Sequence, residues 1–132
     1  MDIDPPAASR DAVLAGRRIF HITEPTTWRT ATRAGTFTES TRGKSLADVG
    51  YIHCSFADQV VSVANVVYGD WDQELLLLEI DSTLVPSEIR IENLEGGSQR
   101  YPHIYGALPV EAVVATRTMT KQSAGWVLPT DM

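Results

Sequence analysis

Four consecutive leucines near the middle of the chain constrain the fold more strongly than any other feature. They lie in an eight-residue run from Glu74 to Asp81 that shows no alternation of apolar and polar positions. A strand with one solvent-exposed face would alternate, so the run predicts a central β-strand that is covered on both faces. A helix is the alternative for such a run, but Gly69 and Pro86 leave little room for one.

Shorter patterns on either side of this run predict an α+β fold. A helix is expected between Pro25 and Gly35, because proline suits a first helical turn and glycine suits the residue after a helix end. A second helix is predicted from apolar residues at helical spacing: Val60, Val63, Ala64, Val67 and Tyr68. Strands are predicted at residues 19–22, 50–55, 89–92 and 113–119. Residues 101–106 are expected to form an extended segment or loop, because Pro102 cannot donate to a strand ladder.

Length and composition indicate one globular domain. The chain has 132 residues, of which 43% are hydrophobic and 21% are charged, and these proportions are typical of globular proteins. We expect residues 18–119 to form the domain, residues 1–17 an N-terminal extension and residues 120–132 a C-terminal tail. Within the tail, residues 126–128 include a tryptophan and are able to dock on the body of the protein.

The charge balance excludes some classes of partner. A formal net charge of −6 argues against general binding of nucleic acid, although one small anion can still be held locally. The longest apolar run is far shorter than the ~20 residues needed to cross a bilayer, so we expect no membrane partner. A single cysteine, Cys54, forbids an internal disulfide and fits a cytoplasmic protein. The sequence does not determine an oligomeric state.

The chain has three histidines, and each is followed two residues later by a hydroxyl-bearing residue: His21 with Thr23, His53 with Ser55, and His103 with Tyr105. In an extended chain, residues i and i+2 project to the same face, so each segment would present an imidazole beside a hydroxyl. If the three segments converge, they form a polar cleft that can hold a ribose or an amide by hydrogen bonds. Histidine can also transfer protons near neutral pH.

Other interpretations of these residues stay open. Each histidine can be a buried, hydrogen-bonded group without any function. Three neutral imidazoles can also hold zinc, but the spacing of these three matches no local metal-ligand motif, and no metal site is predicted. Cys54 lies between His53 and Ser55 and would point to the opposite face, so we expect a buried, inert thiol.

Four motifs then connect the chain with a known family: Phe20-His21-Ile22, Gly50-Tyr51-Ile52-His53-Cys54-Ser55, Leu77-Leu78-Glu79-Ile80-Asp81 and Pro102-His103-Ile104-Tyr105-Gly106-Ala107-Leu108-Pro109. The sequence resembles the DUF952 family, bacterial proteins of unknown function, over roughly residues 18–119. The resemblance implies a fold like the catalytic domain of ADP-ribosyltransferases, in which a split, mostly antiparallel sheet with a few helices surrounds a dinucleotide cleft.

The resemblance also implies roles for the three histidine segments. NAD is then a possible substrate rather than a resident cofactor, and no cofactor is firmly implied. His53 and His103 are the candidate catalytic acid or base. The candidate ligand-binding residues, which would hold the ribose or stack on the nicotinamide, are His21, Thr23, Tyr51, Ser55 and Tyr105.

One departure divides the functional hypotheses. The sequence has no convincing match for the catalytic glutamate that typical ADP-ribosyltransferases carry on a late strand, and Glu79 and Glu92 are candidates by residue type alone. One hypothesis is an enzyme of the ADP-ribosyl-transfer type that acts on NAD or a similar small nucleotide. The alternative is a non-catalytic ligand-binding or protein-interaction domain that keeps the fold without the chemistry.

Overall fold

The leucine run forms the central strand of a three-stranded sheet, as its pattern predicts. In the computed structural model, β4 (Leu75–Ile80) pairs antiparallel with both β1 (Ile19–Thr23) and β8 (Val113–Met119). The structure describes residue 14, residues 17–94 and residues 96–132. Most of the predicted N-terminal extension, residues 1–17, therefore lies outside the described residues.

A second three-stranded sheet lies beside the first. Its central strand, β6 (Tyr101–Ile104), pairs with β3 (Ile52–His53) and with β5 (Ile89–Glu92). Two small ladders complete the strands: β2 with β7 (Thr36–Phe37, Leu108–Pro109), and β9 with β10 (Lys121–Gln122, Gly125–Trp126). All of these pairs are antiparallel, so the predicted α+β class with a mostly antiparallel sheet and few helices is confirmed.

In the part of the chain that the structure describes, three α-helices connect the strands. They are α1 (Pro25–Ala34), α2 (Leu46–Val49) and α3 (Val60–Val67). Proline starts α1, and Gly35 ends it in the left-handed conformation with φ of 87°, as the sequence predicts. Among the residues that the structure describes, no helix is long and apolar enough to cross a membrane.

The first sheet separates two hydrophobic cores. On one face, Leu78 and Ile80 of β4 pack in the first core, which includes Phe37 and Ala31 of α1. On the other face, Leu75 and Leu77 pack in the second core against residues of α3 and β1: Val60, Ala64, Phe20 and Ile22. Because helices or loops cover both faces of β4, the strand needs apolar residues at successive positions, and this explains the absence of alternation.

Residues 101–104 are extended, which was one of the two predicted alternatives, but they also pair on both sides as a central strand, which was not predicted. The backbone nitrogen of Cys54 donates to the carbonyl of Pro102 at 2.9 Å, but proline has no N–H with which to return the bond. The ladder between β3 and β6 therefore ends at the pair of His53 and His103. This leaves β3 with two residues instead of the six expected, while β6 continues its pairing with β5 through Pro102.

The C-terminal segment contributes to the core. The hairpin of β9 and β10 places Trp126 in the second core with 3% of its surface exposed, as the docking expectation for residues 126–128 anticipated. The indole Nε1 of Trp126 donates to the Tyr68 carbonyl at 2.9 Å. Lys121 Nζ donates to the carbonyls of Gly69 and Trp71. The hairpin thus satisfies backbone acceptors just beyond the end of α3.

Candidate functional site

The candidate site lies beside the point where β1 of the first sheet is joined to the end of the second sheet. The backbones of Phe20 and Ser55 exchange two hydrogen bonds of 2.8 Å, which join β1 to the end of the second sheet. At the next residue of β1, the contact between the two sheets is made by a side chain. His21 Nδ1 lies 2.6 Å from the carbonyl oxygen of His53. The split leaves a cleft between the strands.

His21 is a neutral imidazole with a defined tautomer. A carbonyl oxygen can only accept, so Nδ1 carries the proton in the bond to His53, and the other ring nitrogen is an acceptor. Burial is the main cause that lowers the pKa of His21 to about 4. The charge of His53 lowers it further, whereas the backbone bond has the opposite effect. The ring packs edge-on against Phe37 with centroids 5.2 Å apart.

The cleft is open to solvent, has a cavity volume of about 20 Å³, and brings together three of the predicted site residues, His21, His53 and Ser55. Its remaining lining comes from β1, from α3 and from the segment before α2: Phe20, Ile22, Ser40, Thr41, Val63, Val67 and Tyr68. Thr23, which was predicted to act with His21, is buried beside Leu76 of β4 and does not line this cleft.

The other predicted residues form a row of rings along one face of the second sheet. His53 contacts His103 with centroids 5.1 Å apart, and His103 contacts Tyr51 at 4.4 Å. Tyr51 in turn contacts Tyr105 at 5.6 Å, and Tyr101 lies 5.0 Å from His53. The row therefore begins in the cleft at His53 and leads away from it across β6.

A carboxylate holds the far end of this row. His103 Nδ1 lies 3.0 Å from Glu92 Oε2, and the Tyr105 hydroxyl donates to the same oxygen. Burial and the bond to Glu92 raise the pKa of Tyr105 to about 12, so the phenol is a hydrogen-bond donor at neutral pH. The Arg90 guanidinium lies 4.4 Å from the centroid of the Tyr105 ring. His103 itself is fully buried.

The structure distinguishes between the two glutamates that were considered by residue type. Glu79 pairs with Arg18 at 3.1 Å and with Arg117, outside the histidine row. Glu92 lies within the row and bonds two of the predicted site residues, which the sequence pattern did not reveal. The positions of Tyr101, His103 and Tyr105 at i, i+2 and i+4 carried a usable signal, because an extended chain places all three on one face.

The remaining sequence hypotheses concern Cys54 and a metal ion. Cys54 is fully buried in the first core, and burial raises the pKa of its thiol, in agreement with an inert side chain. Within residues 14, 17–94 and 96–132, no group of three His, Cys, Asp or Glu side chains is arranged to hold a metal ion.

Fold and site together define a small α+β protein whose mostly antiparallel sheet is split at a histidine-lined cleft. A family model described as Protein of unknown function (DUF952) matches residues 22–116. The chain therefore belongs to this family, as its motifs predicted.

Solved structures of one relative share the fold. Crystal structures of protein CC0527 from Caulobacter crescentus and of its double mutant are 28% identical to this chain, cover 82% of it and 90% of their own length, and have a TM-score of 0.66. The solution NMR structure of CC0527 is 27% identical over 83% of this chain and 90% of its own, also with a TM-score of 0.66. No curated protein matches the chain.

Proposed function

We propose that the cleft binds NAD or a ligand that contains ADP-ribose, on a fold of the ADP-ribosyltransferase type. The observation that carries this proposal is the imidazole of His21, which the His53 carbonyl holds at the split between the sheets. Its fixed tautomer offers one acceptor nitrogen, which suits the hydroxyl donor of a ribose. The hydroxyl of Ser55 and the ring of His53 are adjacent polar partners in the same cleft.

The row of rings supports the planar part of the same ligand. Tyr51, Tyr101 and Tyr105 are half-buried, so each keeps part of its surface available. Aromatic faces attract flat heterocycles through stacking, and a nicotinamide or an adenine is such a group. His103 packs against Tyr51 and His53 within the row.

Binding can be tested by NMR titration of the full chain with NAD and with ADP-ribose. We expect resonances of His21, His53 and Ser55 to shift in wild type. In His21→Gln we expect the affinity for the ligand, measured from the shifts of His53 and Ser55, to fall at least tenfold. Val66→Ala is the matched control, because Val66 is 82% exposed on α3 and lies outside the cleft lining. Absence of shifts at millimolar ligand would reject the proposal.

A second candidate function adds chemistry to binding, and Glu92 favours it. Cleavage of the nicotinamide–ribose bond sends the bonding electron pair to the ring nitrogen and leaves positive charge on the sugar. Attack by water then gives ADP-ribose, nicotinamide and one proton. A carboxylate stabilises such a charge, and Glu92 connects to the cleft through the rings of His103 and His53.

Release of free nicotinamide from NAD distinguishes the enzyme from a binding domain. We expect Glu92→Gln to reduce release at least a hundredfold, a loss typical for removal of one electrostatic group. Glu88→Gln is the control, because Glu88 is an exposed carboxylate that pairs with Arg90. Binding without release in wild type would favour the non-catalytic alternative, and absence of both would favour a protein-interaction domain.

A further inference from the structure

One wall of the cleft is a short polar segment. Residues 38–45, called the strap below, read Thr-Glu-Ser-Thr-Arg-Gly-Lys-Ser and contain no apolar side chain. All of these residues are described by the structure, and Ser40 is the one that is buried. Ser40 and Thr41 line the cleft, so a movement of the strap changes the opening of the cleft.

Hydrogen bonds hold the strap in its present position. The Ser40 nitrogen donates to the Lys44 carbonyl at 2.7 Å, and the Lys44 nitrogen donates to the Thr41 carbonyl at 2.9 Å. The Ser40 hydroxyl donates to the Tyr51 carbonyl at 2.6 Å. Without apolar burial to hold it, a segment of this kind opens at low cost in free energy.

Arg42 connects the strap to the end of α3. Its Nη1 donates to the Val67 carbonyl at 2.8 Å and to Asp70 Oδ1 at 2.7 Å. Its guanidinium carbon lies 5.2 Å from the Tyr68 ring centroid and 5.1 Å from that of Trp71. One side chain therefore makes a hydrogen bond, an ion pair and two cation–π contacts with the segment from Val67 to Trp71.

The backbone at this point is strained. Arg42 has φ of 36°, the one positive value among the non-glycine residues of the described chain. Gly43, at φ of 84°, continues the left-handed turn without strain. Because an arginine disfavours this conformation, its side-chain contacts must hold the turn in place. Loss of those contacts would therefore separate the strap from the end of α3 and also allow the backbone at Arg42 to relax to another conformation.

We propose that the strap is a gate for the cleft and that Arg42 is the latch that keeps it closed. Val67 and Tyr68 contact the Arg42 side chain and also line the cleft. The residues that hold Arg42 are thus part of the cleft wall. Release of Arg42 moves Ser40 and Thr41 away from Val67 and Tyr68 and opens the cleft. The gate works for any small ligand and does not depend on the identity proposed above.

Hydrogen exchange of the ligand-free protein tests the latch. In Arg42→Ala we expect the amides of Ser40 and Lys44 to exchange at least tenfold faster than in wild type. Amides of β1 and β4 should keep their rates, which also shows that the variant is folded. Arg33→Ala is the control, because Arg33 is an exposed arginine on α1 and lies outside the strap. Unchanged strap rates, or equal acceleration in every strand, would overturn the latch.

Solvent access to the cleft tests the gate. A soluble gadolinium chelate broadens the NMR signals of protons that it can approach. The carbon-bound imidazole protons of His21 report on its access to the cleft. We expect stronger broadening of these protons in Arg42→Ala than in wild type or in Arg33→Ala. Equal broadening in all three proteins would show that the strap does not control access. Neither measurement uses NAD, so failure of the proposed ligand and failure of the gate are distinguishable.

Discussion

The buried imidazole of His21 makes the stability of the protein depend on pH. An ordinary histidine in the unfolded chain has a pKa of about 6.5, whereas burial lowers the pKa of His21 to about 4 in the folded protein. Between these values the unfolded state binds more protons than the folded state. The free energy of unfolding therefore falls as the pH falls from about 6.5 to about 4, and it is fully retained above that range.

The size of the effect follows from the two pKa values. One pKa unit corresponds to about 1.4 kcal/mol, so the full difference between them is roughly 3 kcal/mol. By pH 5 the expected loss is about 2 kcal/mol. Three carboxyl groups also have a lowered pKa, namely Asp48, Asp70 and Asp81. Their contributions are lost at still lower pH, below their usual value of 3.8, so these three carboxyl groups do not contribute to the change between pH 7 and pH 5.

Urea denaturation at pH 7, 6 and 5 measures this loss when wild type is compared with His21→Gln. Glutamine cannot titrate, so the variant should lose about 2 kcal/mol less than wild type over the same interval. His53 and His103 are present in both proteins, so the comparison removes any contribution that they make independently of His21. Equal losses in the two proteins, or an NMR titration of His21 with a midpoint near 6.5, would refute the reasoning.

Three further predictions concern stability, each measured by urea denaturation at pH 7. Leu78→Ala should cost about 2–5 kcal/mol, because the side chain is fully buried in β4; a cost below 1 kcal/mol, similar to that of exposed Val66→Ala, would contradict the assigned core. Ser45→Ala should cost about 1 kcal/mol, because it removes the side chain that caps α2, and Ser45→Asp should restore most of the loss. Gly125→Ala should cost about 1–3 kcal/mol, since Gly125 has φ of 127° and an added Cβ would lie 2.6 Å from Asn65 Oδ1; no change would show that the β9–β10 turn is not rigid.

Local patterns were sufficient for the elements whose neighbours in sequence decide their structure. The residues from Pro25 to Gly35 carry both end signals of α1, and the leucine run specifies β4 by its length and its lack of alternation. The pairing of β6 was not predicted, because Pro102 lacks an N–H donor and was therefore expected to prevent a ladder. Here the lost bond falls where β3 ends, and only the partner strand reveals that position. Such partners are non-local, and the sequence alone does not identify them.

The candidate site shows the same division. The spacing of His53 with Ser55, and of Tyr101 with His103, follows from strand geometry and could be predicted. The contacts of Glu92 with His103 and Tyr105 could not be predicted, because they depend on the register of β5 against β6. The strap was also outside the reach of the sequence, since the contacts of Arg42 lie 25 and 28 residues away along the chain.

The docking of Trp126 sets an order of events during synthesis on the ribosome. The Tyr68 carbonyl accepts a hydrogen bond from the indole of Trp126, which is synthesised 58 residues later. At roughly 5–20 residues per second, translation of that interval takes about 3–12 s. During this time the end of α3, which also anchors Arg42, lacks its last structural partner. All strands of the two three-stranded sheets precede Trp126 in the chain, so the contact that completes the end of α3 is made by a segment synthesised after them.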